Sequence, residues 1–365
     1  MYSKPATITE IASLLNISPS TVSRALHDHS SIGQATRVKV RDLATQLNYE
    51  PNLSAISFQK GRNYTIGVIL PELSESFFST IVSAIEDTAA KQNYTVLIAQ
   101  SHENTEHEKQ LVKRMKDHRV DGLLVSIAKN TTNIDHFQCL RNYNIPVVFF
   151  DRVPPIAQTH FVGCNIKTGT IEAMNYLLKK GHRVIGMING PKTLFACEER
   201  REGYIEAMTK NRLKFDPSMI VSCDLTEQGT LIAYRELLGN KRKPTAIITF
   251  NDYLALFAIN YSRQSDTKTD KDIEFVSYSN LPLVHYMDVV PAASVEQFPY
   301  LQGQKATDIL MQLLDQKNEK YPVQLGYYKV KIESQLVESR KSFAIKGCNK
   351  FAVAIAGDSP LNQIF

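Results

Sequence analysis

No apolar run in this 365-residue chain approaches the roughly 20 residues that a membrane-crossing helix needs. The amino terminus shows no charged-then-apolar leader closed by small residues. A cytoplasmic protein with no membrane partner is therefore expected. Cysteine is sparse and unpatterned: Cys139, Cys164, Cys197, Cys223 and Cys348 form no Cys-x-x-Cys, which argues for reduced thiols and against disulfides or zinc ligation. His102 and His107 stand five apart, a spacing that does not put two metal ligands on one helix face, and they read as a solvated helix start. Gly-x-Gly-x-x-Gly, a phosphate loop, Gly-x-Ser-x-Gly and metal-ligand motifs are also missing. No catalytic residue, metal or cofactor is expected, and an enzyme is disfavoured.

What is present is an ordinary globular composition, with 43% hydrophobic and 22% charged residues. At this length two or three domains are expected. The net charge of +5 is unevenly spread, since Met1 to Arg62 hold seven basic residues against four acidic ones. The excess sits where a polyanion would bind.

The same segment carries helix punctuation. Thr7 and Glu10 stand three apart as a capping box, the hydroxyl accepting from one free amide and the carboxylate from another. A first helix begins near Ile8 and keeps Ile8, Ile11, Ala12 and Leu15 on one apolar face. Asn16 and Ile17 turn the chain, and Ser18-Pro19 is an N-cap and first-turn pair for a second helix. Two short helices joined this tightly make a helix-turn-helix. On the second, Ser20, Thr21, Ser23 and Arg24 face outward while Val22 and Leu26 face the core. That polar face is either a routine solvated surface or a groove reader. As a reader, Arg24 donates two parallel bonds to guanine O6 and N7, and the small hydroxyls meet phosphates.

From Tyr64 onward short apolar runs alternate with amphipathic stretches, the pattern of a parallel sheet covered by helices. Strands are expected at 66–70, 95–99, 122–126 and 147–150, then at 184–188, 220–223, 246–250 and 274–276. Helices are expected near 78–91, 106–117, 134–143, 169–180, 198–211, 229–238 and 253–263. Gly181, after Lys179 and Lys180, reads as a helix stop with cations at the negative end. Two successive doubly wound series suggest two lobes with a ligand outside the carboxyl ends of their strands.

Ile8-Thr-Glu-Ile-Ala12, Ser18-Pro-Ser-Thr-Val-Ser-Arg24, Thr36-Arg37, Leu47-Asn-Tyr-Glu-Pro51-Asn52 and Thr65-Ile-Gly-Val-Ile69 together strongly resemble the lactose and galactose repressor family of bacterial transcription regulators. The likeness covers nearly the whole chain. It implies an α/β protein with an N-terminal helix-turn-helix headpiece and a two-lobed, doubly wound core like that of periplasmic sugar-binding proteins. The implied domains are a headpiece over 1–51, a hinge over 52–62, an effector-binding and dimerisation core over 63–343, and a tail over 344–365 of unknown role. Lobe crossings are expected near 151–165, 286–295 and 321–325, with the helix over 301–314 returning to the first lobe. The implied activity is sequence-specific, effector-controlled DNA binding by a homodimer, whose paired half-sites need two headpieces. The implied DNA-binding residues are Thr7, Ser18, Ser20, Thr21, Ser23, Arg24, Thr36, Asn52, Ala55 and Phe58.

Phe58 holds the position from which family members wedge an apolar side chain, usually leucine, into the minor groove; packing on the core is the alternative. The implied ligand residues are Phe77, Phe78, Asp151, Arg200, Asn251 and Ser279. Phe77 and Phe78 equally suit a buried helix start, and Asp252, next to Asn251, better suits the cap of the following helix. The chain departs from the pattern at Ser279 and Cys164, where many members carry aspartate, and at Leu194, where purine-responsive members carry arginine. A purine effector is thereby disfavoured. A sugar or sugar phosphate fits if Arg200 and Arg201 face an anion; exposed helix arginines are otherwise merely solvated. A transport-type binding protein would share the core but demands an export signal and no headpiece. The tail lacks sustained heptads, so a zipper tetramer is not supported.

Overall fold

The computed structural model describes residues 6–50, 62–156, 158–264, 272–316 and 326–339. The headpiece comprises α1 (Ile8–Leu14), α2 (Pro19–Leu26) and α3 (Gln34–Gln46). Its capping box forms in full: Glu10 N donates to Thr7 Oγ1 at 3.2 Å and Thr7 N to Glu10 Oε2 at 2.7 Å. Ile11, Ala12, Val22, Ala25, Val40 and Ala44 close a small core, with Leu15, Leu26, Leu47 and Tyr49 packed around it. Those side chains come from all three helices, so the helices hold one another where each alone would be too short to persist.

The described chain divides into two compact units, one running to Gly163 and resuming at Pro299–Val330, the other covering Cys164–Phe298 and resuming at Lys331. Each contains a six-stranded sheet. The first unit has β1 (Thr65–Leu70), α4 (Ser76–Ala90), β2 (Thr95–Gln100), α5 (Thr105–Asp117), β3 (Gly122–Val125), α6 (Asp135–Gln138), β4 (Val147–Phe150) and β5 (His160–Asn165). The second has α7 (Ile166–Lys179), β6 (Ile185–Asn189), α8 (Phe195–Lys210), β7 (Ile220–Ser222), α9 (Glu227–Leu238), β8 (Ala246–Thr249), α10 (Asp252–Gln264), β9 (Glu274–Tyr278) and β10 (Ala293–Glu296). Helix α11 (Pro299–Gln316) returns to the first unit, and β11 (Lys329–Glu333) and β12 (Gln335–Glu338) follow. The strand orders are β11-β5-β4-β3-β1-β2 and β12-β10-β9-β8-β6-β7. Pairing is parallel between β1 and β2, β3 and β4, and β8 and β9, whereas β12 runs antiparallel to β10. Central strands buried on both faces read as the continuous apolar runs seen in the sequence.

Several expectations shift. The crossing expected near 151–165 does fall there, at Gly163–Cys164, but within β5, whose His160–Val162 pairs in parallel with Val148–Phe150. The next crossings fall at Phe298–Pro299 and Val330–Lys331, later than 286–295 and 321–325. Short strands such as β10, β11 and β12 take their identity from the neighbour that pairs with them rather than from local propensity. The helix read over 134–143 is α6 followed by a 3-10 turn over Cys139–Tyr143, stopped by Asn144 in the left-handed region at φ 54°. Gly181 does end α7, at φ +96°.

Helices α4 and α11 approach closely through Gly303, where a Cβ would lie 2.5 Å from Ile81 O and 3.0 Å from Ala84 Cβ. A backbone carbonyl inside a helix cannot retreat as a side-chain tip can. Gly303→Ala is therefore expected to destabilise the protein by about 1–3 kcal/mol, outweighing the roughly 1 kcal/mol of helix propensity that alanine adds. A lower urea midpoint at unchanged slope would register it; an equal or higher midpoint would mean the two helices have room to separate.

Candidate functional site

In the headpiece the exposed face of α2 is built from its start. Ser18 Oγ accepts from Thr21 N at 3.1 Å and lies 2.8 Å from both Ser20 Oγ and Thr21 Oγ1. The Ser18 and Thr21 hydroxyls thus set the helix end first and can meet a phosphate only with their remaining lone pairs or proton. Ser20 and Arg24 are exposed, and Thr21 and Ser23 half-buried. The arginines differ in engagement. Arg37 donates to His29 O at 2.9 Å and Arg41 pairs with Asp28, whereas Arg24 has no ion pair or hydrogen bond with its guanidinium among the described residues. A guanidinium held ready on an exposed face can read a base edge without breaking an internal bond.

Thr7 is exposed and Thr36 half-buried in the first turn of α3. That turn begins at Gly33 with no side-chain cap, which sequence reading missed. The Thr36 and Arg37 amides donate to Gly33 O at 3.0 and 3.1 Å. Asn52, Ala55 and Phe58 lie outside the described residues.

In the first unit, Phe77 and Phe78 are the buried start of α4, their rings edge to face with centroids 5.6 Å apart. The Arg152 guanidinium lies 5.6 Å over the Phe78 ring and pairs with Glu103 at 2.6 Å. Burial pushes the Glu75 carboxyl upward, with Arg152 opposing. Asp151 ends β4 in the left-handed region at φ 54°, anchored by its own N–H to Val162 O at 3.1 Å. Aspartate tolerates this conformation, and the residue stands just past the carboxyl end of β4.

In the second unit the residues converge on Arg200. Its side chain is 3% exposed and stacked between two aromatic rings, 4.2 Å from the Phe250 centroid and 4.3 Å from that of Tyr278. Nη1 donates to Ala196 O and Nη2 to Phe250 O, both at 3.3 Å, and Nε has no partner. Gly190 makes the stack fit, because a Cβ there would lie 2.8 Å from the Phe250 ring. Asn251 and Ser279 directly follow these two aromatics in sequence. Burial raises the Tyr278 phenol, with Arg200 acting the other way.

Two expectations are corrected here. Asn251, not Asp252, caps α10, its Oδ1 accepting from Leu254 N at 3.0 Å. Asp252 is instead fully buried, accepting from Leu281 N at 2.7 Å, from Ser294 Oγ at 2.8 Å and from Ser277 Oγ. Arg201 does not join Arg200, since it faces outward and pairs with Glu198 at 2.8 Å. Phe250, Tyr278, Arg152 and Gly190 went unrecognised in the sequence. Phe250 and Tyr278 each fall at the end of an apolar run just before a polar turn, a signal that could have marked them.

A helix-turn-helix headpiece joined to a core of two doubly wound units defines a DNA-binding regulator with a sensory core, a class distinct from transporters and enzymes. Residues 7–52 match the model for bacterial regulatory proteins of the lacI family, and residues 63–329 match that for periplasmic binding proteins and the sugar-binding domain of the LacI family. The transcriptional repressor CytR of Escherichia coli (strain K12) is 30% identical over 311 residues, spanning 85% of this chain and 89% of that protein. The repressor PurR of Vibrio atlanticus (strain LGP32) is 28% identical over 86% of this chain and 93% of its own length. In fold, the lac repressor dimer bound to operator and the anti-inducer ONPF superposes with a TM-score of 0.76 at 24% identity, covering 92% of this chain and 98% of that one. The chain belongs to the lacI family of bacterial regulatory proteins. It is a sequence-specific DNA-binding transcriptional regulator with an effector-binding core, and its relatives are repressors rather than enzymes. Among the described residues no helix is long and apolar enough to cross a membrane.

Proposed function

We propose that this regulator is a cytoplasmic homodimeric repressor that holds paired operator half-sites and answers to a sugar or sugar derivative. The headpiece spans 1–51, the hinge 52–62, the core 63–343 and a tail of unassigned role 344–365. Arg24, with Ser20 and Ser23 beside it, reads the major groove, while Thr7, Ser18, Thr21 and Thr36 position the headpiece on phosphates. Asn52, Ala55 and Phe58 act in the hinge at the minor groove. Asp151 accepts effector hydroxyls, Arg200, Asn251 and Ser279 supply further polar contacts, and Phe77 and Phe78 supply apolar surface. The observation that carries the effector reading is the buried, stacked Arg200 guanidinium at the strand-end turns of the second unit. The ligand shifts the population between a state that orders the hinges on DNA and one that does not, and its sign depends on which state it prefers.

The test is an operator titration with a panel of sugars, sugar phosphates and sugar acids. One class should change operator affinity at least tenfold in the wild type and leave Asp151→Ala unresponsive with its ligand-free DNA binding intact. An Asp151→Ala protein that responds normally would remove that residue from the site. Phe58 gives a separate prediction. Phe58→Ala should keep nonspecific, salt-sensitive binding but lose DNA bending and its preference for a flexible pyrimidine-purine centre. Equal bend angles for mutant and wild type would assign Phe58 to linker packing.

A further inference from the structure

The chain enters the first unit beside a basic turn. Asn63 donates from its backbone N to Asp121 Oδ1 at 3.0 Å and from Nδ2 to Arg119 O at 2.7 Å. Thr65 O then accepts from Asp121 N at 2.7 Å, so β1 begins against the turn that follows α5. The last two turns of α5 and this turn carry Lys113, Arg114, Lys116, His118 and Arg119, all exposed but the half-buried Lys116. Among the described residues the side chains of Lys113, Arg114, His118 and Arg119 make no ion pair or hydrogen bond. Lys116 lies 3.7 Å from Asp117 and 4.9 Å over the ring of Tyr143, which is 56% exposed. Of the carboxylates beside them, Asp121 accepts the Asn63 amide and Asp315 pairs with Arg62 at 3.4 Å. Positive charge therefore dominates the point from which the chain runs to the headpiece.

A helix C-terminus favours cations in its last turn, which accounts for Arg114 and Lys116. It does not account for Arg119, which stands past α5 in the left-handed region at φ 54°. Glycine or asparagine fills such a position at less cost, so this cation is kept against backbone strain. Positions 50 and 62 bound the joining segment, a span of at most about 40 Å at ~3.4 Å per residue. About a dozen base pairs of duplex cover that distance.

We propose that this turn is a second DNA-binding surface, on which Lys113, Lys116, Arg119 and the Tyr143 hydroxyl take backbone phosphates flanking the site held by the headpiece. The partner is double-stranded DNA. Its charge complements the surface, and the surface is continuous through Asn63 with the chain that leads to the headpiece. Phosphate contacts fix register without reading sequence. The core thus adds affinity and orientation, and leaves base choice to α2.

The experiment measures operator binding by the full chain between 50 and 200 mM salt, on a duplex with about 15 flanking base pairs on each side and on one trimmed of them. The test protein is the triple variant Lys113→Gln, Lys116→Gln, Arg119→Asn, in which asparagine keeps the left-handed turn while removing the charge. A control, Lys179→Gln, Lys210→Gln, Lys241→Gln, removes three exposed charges from the second unit. On the flanked duplex the slope of log affinity against log salt should be shallower by about 2–3 in the test protein and unchanged in the control. Specific and nonspecific sequences should lose affinity by the same factor. Trimming the flanks should abolish the difference from wild type. Arg119→Lys, which keeps the charge, should keep the wild-type slope. If the triple variant does not fold, Lys113→Gln with Lys116→Gln reads the same shift at about 1–2. A wild-type slope in the test protein, an equal loss in the control, or a loss that persists on the trimmed duplex would overturn the proposal.

Discussion

Replacing Arg24 by alanine is expected to lower specific operator affinity by about 1–3 kcal/mol and to relax the preference at one base pair in each half-site. The expectation combines a place on α2 with a state of engagement. Arg24 is exposed, and the other two arginines of the headpiece's described residues spend their guanidinium groups on His29 O and Asp28. A side chain that is not needed to hold the headpiece together can be removed without unfolding it, so the whole loss should appear in binding. The helix start, fixed by Ser18 and Pro19, is unaffected by the change. Binding to a panel of single-base operator variants checks the assignment. A loss of equal size across the panel, with a shallower salt dependence, would place Arg24 on a phosphate instead.

Asp252→Ala is expected to destabilise the core by about 1–3 kcal/mol. The carboxylate ties β9, β10 and the turn after β9 to the start of α10, because its donors are Ser277 Oγ, Ser294 Oγ and Leu281 N. Alanine leaves those donors facing a dry gap. Hydroxyl rotation can relieve two of them, but the Leu281 amide has no such freedom. Urea unfolding of wild type and mutant measures the difference, and a change below about 1 kcal/mol would mean water replaces the carboxylate.

The pH dependence has a definite sign. Burial raises the Asp252 carboxyl above its ordinary value against its three hydrogen bonds. A carboxyl raised in the folded state binds its proton more tightly there than in the unfolded chain. Its contribution to stability therefore grows as pH falls through the raised value and is complete below the unfolded one. The stability gap between wild type and Asp252→Ala should accordingly widen from neutral pH toward pH 4. A gap that narrows on acidification would show that the three hydrogen bonds outweigh burial.

The headpiece was legible because its signals are local. Thr7 with Glu10, and Ser18 with Pro19, lie within one helical turn of each other, and their bonds form as those spacings require. The central strands were legible because burial on both faces leaves an unbroken apolar run, as at Val147–Phe150. Asn251 and Asp252 show where such reasoning stops. Either side chain suits an N-cap by residue type, and only the arrival of Ser277, Ser294 and Leu281 from 25 to 42 residues away decides that Asp252 faces inward and leaves the cap to Asn251.

By itself, then, the sequence determined the family, the three-helix headpiece, the alternation of strands and helices in two series, and which residue types stand at the strand ends. Tertiary structure alone decided which of those residues meet. Arg200 and Arg201 are adjacent in the chain, yet one is sandwiched between Phe250 and Tyr278 while the other rides the surface beside Glu198. Tertiary structure also placed β5 at the first crossing and β10 in the segment read as the second, which falls later, at Phe298–Pro299. The physical reason is the same in each case: spacing along a helix or strand fixes which side a residue faces, but the free energy of a buried charge or an edge strand is set by partners distant in sequence.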